Sequence, residues 1–236
     1  MTIQPFLLSG QSNEGLNKVY DWFDSIAGMD VSGLYNGTSY QNDFIVLNEK
    51  HQFFGSSDFT PCFLEYDGQE HYEVPAKYDL QNDELIITPR NTLGSLPLNL
   101  VKSKVRNFRL LERKFVHLSP LYFNLTQDLG FCEVILENAY FGLYKKYVKK
   151  GKEVSKEGKV FHEFNSGHSF HLHMDGNLYK LRNKQTLTQL FPDRKAAIND
   201  YYRNYRQMRL SKRDEFMVSL LAHLNELMSS APISSK

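Results

Sequence analysis

Apolar and polar residues alternate with a period of two along most of this chain, in short runs closed by turn dipeptides. "CFLEYDGQEHYEV" (62–74) reads as strand, type I′ turn at Asp67-Gly68, and strand. "AKYDLQNDELIITP" (76–89) repeats the plan around Asn82-Asp83, and "VRNFRLLERKFVHL" (105–118) alternates across another hairpin. "GFCEVILENAYFGLYKKYV" (130–148) supplies two more strands, and "SFHLHMDGNLYKL" (169–181) a hairpin turning at Asp175-Gly176. Between these last two, "KKGKEVSKEGKV" (149–160) has no apolar period and reads as a solvated, flexible loop.

The period changes at both ends. In "NEGLNKVYDWFDSIAG" (13–28), Leu16, Val19, Tyr20 and Phe23 keep helical spacing and stop at Gly28, which predicts a short helix. The preceding residues 1–12 are expected to lie extended against a sheet edge or a partner. After Pro192, the residues Ile198, Tyr201, Tyr202, Tyr205 and Met208 mark one face of a helix. Ser211 with Asp214 then predicts a capping box, ahead of a second stripe at Met217, Leu220, Leu221, Leu224 and Leu227. Strands followed by helices predict an α+β fold: an antiparallel β-rich body of two packed sheets with a C-terminal helical hairpin. The parts are an N-terminal arm (1–31), the β body (32–183), the helical hairpin (184–228) and a disordered tail (229–236). Tyr201, Tyr202, Leu220, Leu221 and Leu224 should be buried.

Composition agrees with a β-rich body: 17 Phe and 14 Tyr stand against one Trp in 236 residues. Net charge is +1, so no global field draws in nucleic acid, which is not expected as a partner. No apolar run reaches the ~20 residues of a membrane span, so no transmembrane segment is expected. "MTIQPFLLSGQS" has no basic n-region, so it is not read as an intact signal peptide; either the protein is cytoplasmic or a signal has been removed. Cys62 and Cys132 fit no metal spacing and are read as buried thiols in preference to one disulfide.

At this point four segments become informative together. "GTSYQNDF" (37–44), "EVPAKYDLQNDELII" (73–87), "GFCEVILE" (130–137) and "LYKLRNKQTLTQLFPDRKAAINDYYRN" (178–204) occur in this order. They resemble a family of secreted envelope proteins of Bacteroidetes-type bacteria. Its members read Gly-Ser-Pro-Tyr, then a variant of "vPlRYNiynDelE", a "gfyevL" strand, and a hairpin leading into a "kkkLlklf" helix. Ser39 stands where that pattern has Pro, Lys77 for Arg and Asp79 for Asn. The resemblance implies export across the inner membrane, a place in the periplasm or at the outer-membrane periphery, and a β-rich fold. It carries over no catalytic residue.

Candidate chemistry centres on "FHEFNSGHSFHLHMDG" (161–176). Period two puts Phe170, Leu172 and Met174 on one face and His171 and His173 on the other, with Cα atoms about 6.5–7 Å apart. A metal would need a third ligand from His162, Glu163 or His168, so His168, His171 and His173 are the candidate ligands. A solvent-exposed polar strand face is the competing reading and the preferred one, so no metal or cofactor is expected. Asp79, Asp83 and Glu84 are read as turn chemistry, with calcium as the lesser alternative. "YKKYVKKGK" (144–152) and "RNYRQMRLSKR" (203–213) interleave cations with aromatics, and the second is read as a solvated arginine face. With an envelope location, contact with outer-membrane lipid head groups or an outer-membrane protein comes into view. Motifs of nucleophile, phosphate-loop, dinucleotide and zinc-protease type are absent. The expectation is a non-enzymatic accessory protein of the cell envelope that binds other envelope proteins. The alternatives are a β module binding a glycan or apolar ligand, and a metal-dependent enzyme built on the histidine hairpin.

Overall fold

The structure, a computed structural model, describes residues 33–46, 49–89, 96–123 and 125–230. The helix expected over 13–28 and the extended arm of residues 1–12 lie outside the described residues, as does the end of the tail. The strands are β1 (Thr38–Ser39), β2 (Thr60–Tyr66), β3 (Gln69–Asp79), β4 (Glu84–Ile87), β5 (Leu98–Asn99), β6 (Val105–Leu110) and β7 (Arg113–Leu118). After the one-turn helix α1 (Pro120–Phe123) come β8 (Gly130–Glu137), β9 (Gly142–Lys156), β10 (Lys159–Met174) and β11 (Asn177–Leu181). Helices α2 (Lys184–Leu190), α3 (Lys195–Asn204), α4 (Arg206–Ser211) and α5 (Arg213–Ser229) follow. The fold is α+β, as the change of period predicts.

Among the described residues the strands form one antiparallel sheet in the order β1-β5-β4-β3-β2-β6-β7-β8-β9-β10-β11. The expected pair of packed sheets is therefore a single sheet that curls onto itself. Tyr78 on β3 and Phe131 on β8 are four strands apart in that order, about 19 Å across a flat sheet. Their ring centroids are 5.8 Å apart, and Tyr78 also meets Phe108 and Phe115 at 5.4 Å each. Bulges help the curl: register shifts fall at Cys62/Leu64, Glu65/Tyr66 and Val134/Leu136. Opposite the first of these, Glu73 takes a left-handed φ of 55°.

The inside of the curl is one core, built on Leu64, Tyr66, Tyr78, Phe108, Phe115 and Phe131. A second core lies where the helices cover one face of β9–β11, joining Leu143, Phe170 and Leu172 to Ile198, Phe216, Leu220, Leu221 and Leu224. Residues 194 and 227, and 201 and 219, meet side by side, so α3–α4 and α5 run antiparallel as a hairpin. Tyr201, Leu220, Leu221 and Leu224 are buried as expected, and Tyr202 is half-buried. The expected capping box does not form. Ser211 ends α4 and donates to the Gln207 carbonyl at 2.9 Å, while α5 starts after a non-helical Lys212 with no side-chain cap. Asp214 is taken by the sheet instead, as described below.

The largest correction concerns "KKGKEVSKEGKV". Rather than a loop, it is the far half of β9, a two-residue Glu157-Gly158 turn and the start of β10. The two strands pair without interruption from Gly142↔His173 to Lys156↔Lys159. Both faces of this ribbon meet water near its tip, so no apolar alternation marks it in the sequence.

Candidate functional site

The four histidines do not converge. His168 lies on the helix-covered face with Phe170, and its Nε2 is 2.8 Å from Asp214 on α5. His171 and His173 point to the other face. That face is not the solvent-exposed one expected: the β7–β8 connection packs over it, with Phe123 edge-on to His173 at 5.9 Å. His171 is 6% exposed and bonds Ser169 Oγ at 2.9 Å. Burial, then Lys180 and Lys146, bring its pKa down to about 4. The candidate ligands His168, His171 and His173 are thus divided between two faces by strand alternation. Among the described residues no three His, Cys, Asp or Glu side chains are placed to hold a metal.

The carboxylates of the β3–β4 turn separate into two roles. Asp79 shapes the turn, its Oδ1 accepting from the Gln81 and Asn82 amides at 2.7 and 3.1 Å. Burial raises its carboxyl above the ordinary value. Asp83 does something the sequence reading did not foresee. Its oxygens take Lys102 Nζ at 2.5 Å and Lys146 Nζ at 2.6 Å, and the Tyr78 hydroxyl donates to it at 2.6 Å. Lys146 also donates to the Phe131 carbonyl at 3.1 Å. Burial alone would raise the Asp83 carboxyl; Lys146 and Lys102 outweigh it and hold the group below its usual range. The network ties the β3–β4 turn to β8 and β9. Gly130 makes room for it: φ is +76°, and a Cβ there would sit 1.7 Å from Asp83 Oδ2. With its oxygens occupied, Asp83 is a structural anion and no ready calcium ligand.

A second polar chain links the sheet to the helices. Glu133, 3% exposed, takes Arg113 at 2.6 Å and the Tyr147 hydroxyl at 2.7 Å. Beside Tyr147, Lys145 reaches Asp214 at 2.5 Å. Lys145 and His168 together draw the Asp214 carboxyl below its ordinary value against the effect of burial. The arrangement closest to a catalytic one is His117, whose Nε2 is 3.0 Å from both oxygens of Asp128. Ser119 is nearby in sequence, but its Oγ and His117 Nδ1 are both buried without a hydrogen-bond partner among the described residues. A hydroxyl not bonded to its base is not an activated nucleophile. Cys62 and Cys132 are free and buried, and burial pushes both thiols up to about 12.

Open space lies elsewhere. A polar cleft of about 580 Å³ between residues 42–46, residues 49–58 and β3 is lined by Phe44, His51, Gln52, Phe53, Asp58 and Lys77. Two adjoining clefts of about 440 and 480 Å³ lie along the helical hairpin and share Lys184, Tyr202 and Arg209. The arginines of "RNYRQMRLSKR", read from sequence as a solvated face, are thus partly turned inward: Arg209 is half-buried and lies 5.5 Å from the Tyr202 ring.

These features define an α+β protein with a curled antiparallel sheet, a partly buried ion network where it curls together and a helical hairpin over one end. No family model, curated protein or solved structure matches the chain. Among the described residues no helix is long and apolar enough to cross a membrane.

Proposed function

We propose that the protein is a non-enzymatic accessory subunit of the bacterial cell envelope that binds other envelope proteins through the β9–β10 arm. The envelope location rests on the resemblance of four ordered segments. The binding role rests on one observation, the length of the arm beyond its sheet neighbours. β8 pairs with β9 only up to Lys145, and β11 pairs with β10 only from Phe170. Beyond these points the arm is a two-stranded ribbon. Its middle is propped on one side by Lys149, whose amide bonds the Leu80 carbonyl, and on the other by Phe44 against His162 and Phe164. The tip, residues 152–161, is almost wholly exposed. A two-stranded ribbon standing alone is marginal in water, and a partner surface that it serves accounts for a tip that packs on nothing else among the described residues.

The tip offers unpaired strand edges with Phe161 opposite Val154, and Lys152, Lys156 and Lys159 around them. Edge lysines discourage indiscriminate strand pairing, which favours a partner that supplies carboxylates along with its strand or groove. Replacing residues 154–161 by Asn-Gly keeps the Glu153–His162 pair and closes it with a tight turn. The shortened protein should keep its thermal midpoint within a few degrees. Native complexes purified from envelope fractions should lose the partners that the full chain retains. Equal recovery with both proteins would refute the arm as the contact.

A further inference from the structure

The chain is close to neutral, with 28 Lys and Arg against 27 Asp and Glu, so a site of one sign is a local arrangement. The cleft between the helical hairpin and the β10–β11 end is such a site. Arg182, Lys184, Arg209 and Arg213 line it together with the ring of Tyr202, and no carboxylate does. The adjoining cleft adds Arg203, again with no carboxylate. Arg203 has a partner, Asp200 at 3.0 Å. No ion pair within 4.0 Å joins the other four to a carboxylate among the described residues, although residues at the start of α5 are paired: Glu215 with Lys212, and Asp214 with Lys145. Lys184 Nζ and the Arg209 guanidinium both lie against the Tyr202 ring, at 5.8 and 5.5 Å. Arg209 Nε is buried and has no acceptor among the described residues.

The floor beneath these cations is apolar. Phe170, Leu181, Phe216 and Met217 are buried there, while Leu210 stands at the rim with 64% of its surface exposed. Like charges around a half-buried ring repel one another until an anion joins them. A single carboxylate would leave most of this charge uncompensated. A phosphate has oxygens enough for several forked guanidinium donors at once. The apolar floor and exposed Leu210 have nothing to offer inorganic phosphate, but they suit the glycerol and first methylenes of a lipid.

We propose that this cleft binds the phosphate head group of an anionic lipid, with Arg182, Lys184, Arg209 and Arg213 on the phosphate and Leu210 entering the acyl layer. The site consists of residues outside the arm, so its failure and that of the arm are separable. The test is co-sedimentation of the full chain with vesicles of phosphatidylglycerol in phosphatidylcholine, against phosphatidylcholine alone. The full chain should bind the anionic vesicles and leave them as salt rises. Lys184→Glu with Arg209→Glu should weaken binding by at least about tenfold, since each cation near an anionic surface adds roughly a factor of five. Lys152→Glu with Lys156→Glu, the same charge change on the arm, should bind within about twofold of the unaltered chain. If circular dichroism shows that the first pair does not fold, the exposed pair Arg182→Gln with Arg213→Gln replaces it. Equal binding to neutral vesicles, or equal loss from arm and cleft reversals, would overturn the proposal. Saturable binding of inorganic phosphate without vesicle association would overturn the lipid as the source.

Discussion

Asp83, half-buried, and His171, buried, both face Lys146, and both make the fold sensitive to acid, over different ranges. His171 has its pKa lowered from the ordinary 6.5 to about 4, so the folded state holds it neutral where the unfolded chain already takes a proton. Stability is therefore lost as pH falls from about 6.5 toward 4. The Asp83 carboxyl lies below its ordinary 3.8, so its contribution is present above that value and lost as pH falls through the lower, folded-state value. Asp79 acts in the opposite sense, because burial raises its carboxyl and its protonation favours the fold. Urea midpoints measured from pH 7 to 3 should decline in two stages. His171→Gln should flatten the upper stage. Asp83→Asn should lower the unfolding free energy throughout, by about 3 kcal/mol because Lys146 loses its charged partner, and remove part of the lower stage. An upper slope unchanged in His171→Gln would mean that the folded protein protonates this imidazole freely.

At the level of elements, the sheet depends on four two-residue turns of one kind. Tyr66↔Gln69, Leu110↔Arg113, Lys156↔Lys159 and Met174↔Asn177 each close around a pair of left-handed residues. Three of the turns are Asp-Gly, Glu-Gly and Asp-Gly, which suit that conformation. The fourth is Leu111-Glu112, with φ of 50° and 59°, where neither side chain is at ease. Left-handed backbone costs an ordinary residue roughly 1–2 kcal/mol. Leu111→Asn with Glu112→Gly should therefore stabilise the protein by about 1–2 kcal/mol in chemical unfolding, at unchanged denaturant slope. A loss of stability would show that the contact between Leu111 and the Gly55 loop outweighs the strain. The same turn logic explains why the arm was hidden: Glu157-Gly158 is a good turn, but its flanking residues have water on both sides and so no period to reveal strands.

For the whole molecule, β9 is the element that the cores share. Tyr147 packs on the core inside the curl, Leu143 belongs to the core under the helices, and Tyr144 to the core beneath the β7–β8 connection. The Glu133–Tyr147 and Lys145–Asp214 bonds run along the same strand. Separate domains would melt separately; cores built on one strand should melt together. Phe115→Ala should cost about 3–5 kcal/mol and Leu221→Ala about 2–5 kcal/mol, since both side chains are fully buried. Each variant should still show coincident loss of helix signal at 222 nm and of near-ultraviolet tyrosine signal. Two resolved transitions in Leu221→Ala would show that the helical hairpin is an independent unit.

Local chemistry was enough to read the hairpins of β2–β3, β3–β4, β6–β7 and β10–β11, because each pairs alternating residues with a neighbour a few positions away. It was also enough for the two apolar stripes of the helical hairpin, whose 3.6-residue period needs no knowledge of what they cover. The helix caps were less legible, since Asp214 could serve either its own helix or Lys145, and only packing chose the sheet. Curling of one sheet into what resembled two depended on bulges and on rings meeting across four strands. The Asp83–Lys102–Lys146 network joins residues up to 63 positions apart, with Tyr78 completing it, and no spacing rule connects them. The face on which His171 lies became buried only because the β7–β8 connection folds over it. Periodicity reports which residues share a face; what lies against that face is a property of the folded chain, and here it decided both the fate of the histidines and the gathering of the arginines around Tyr202.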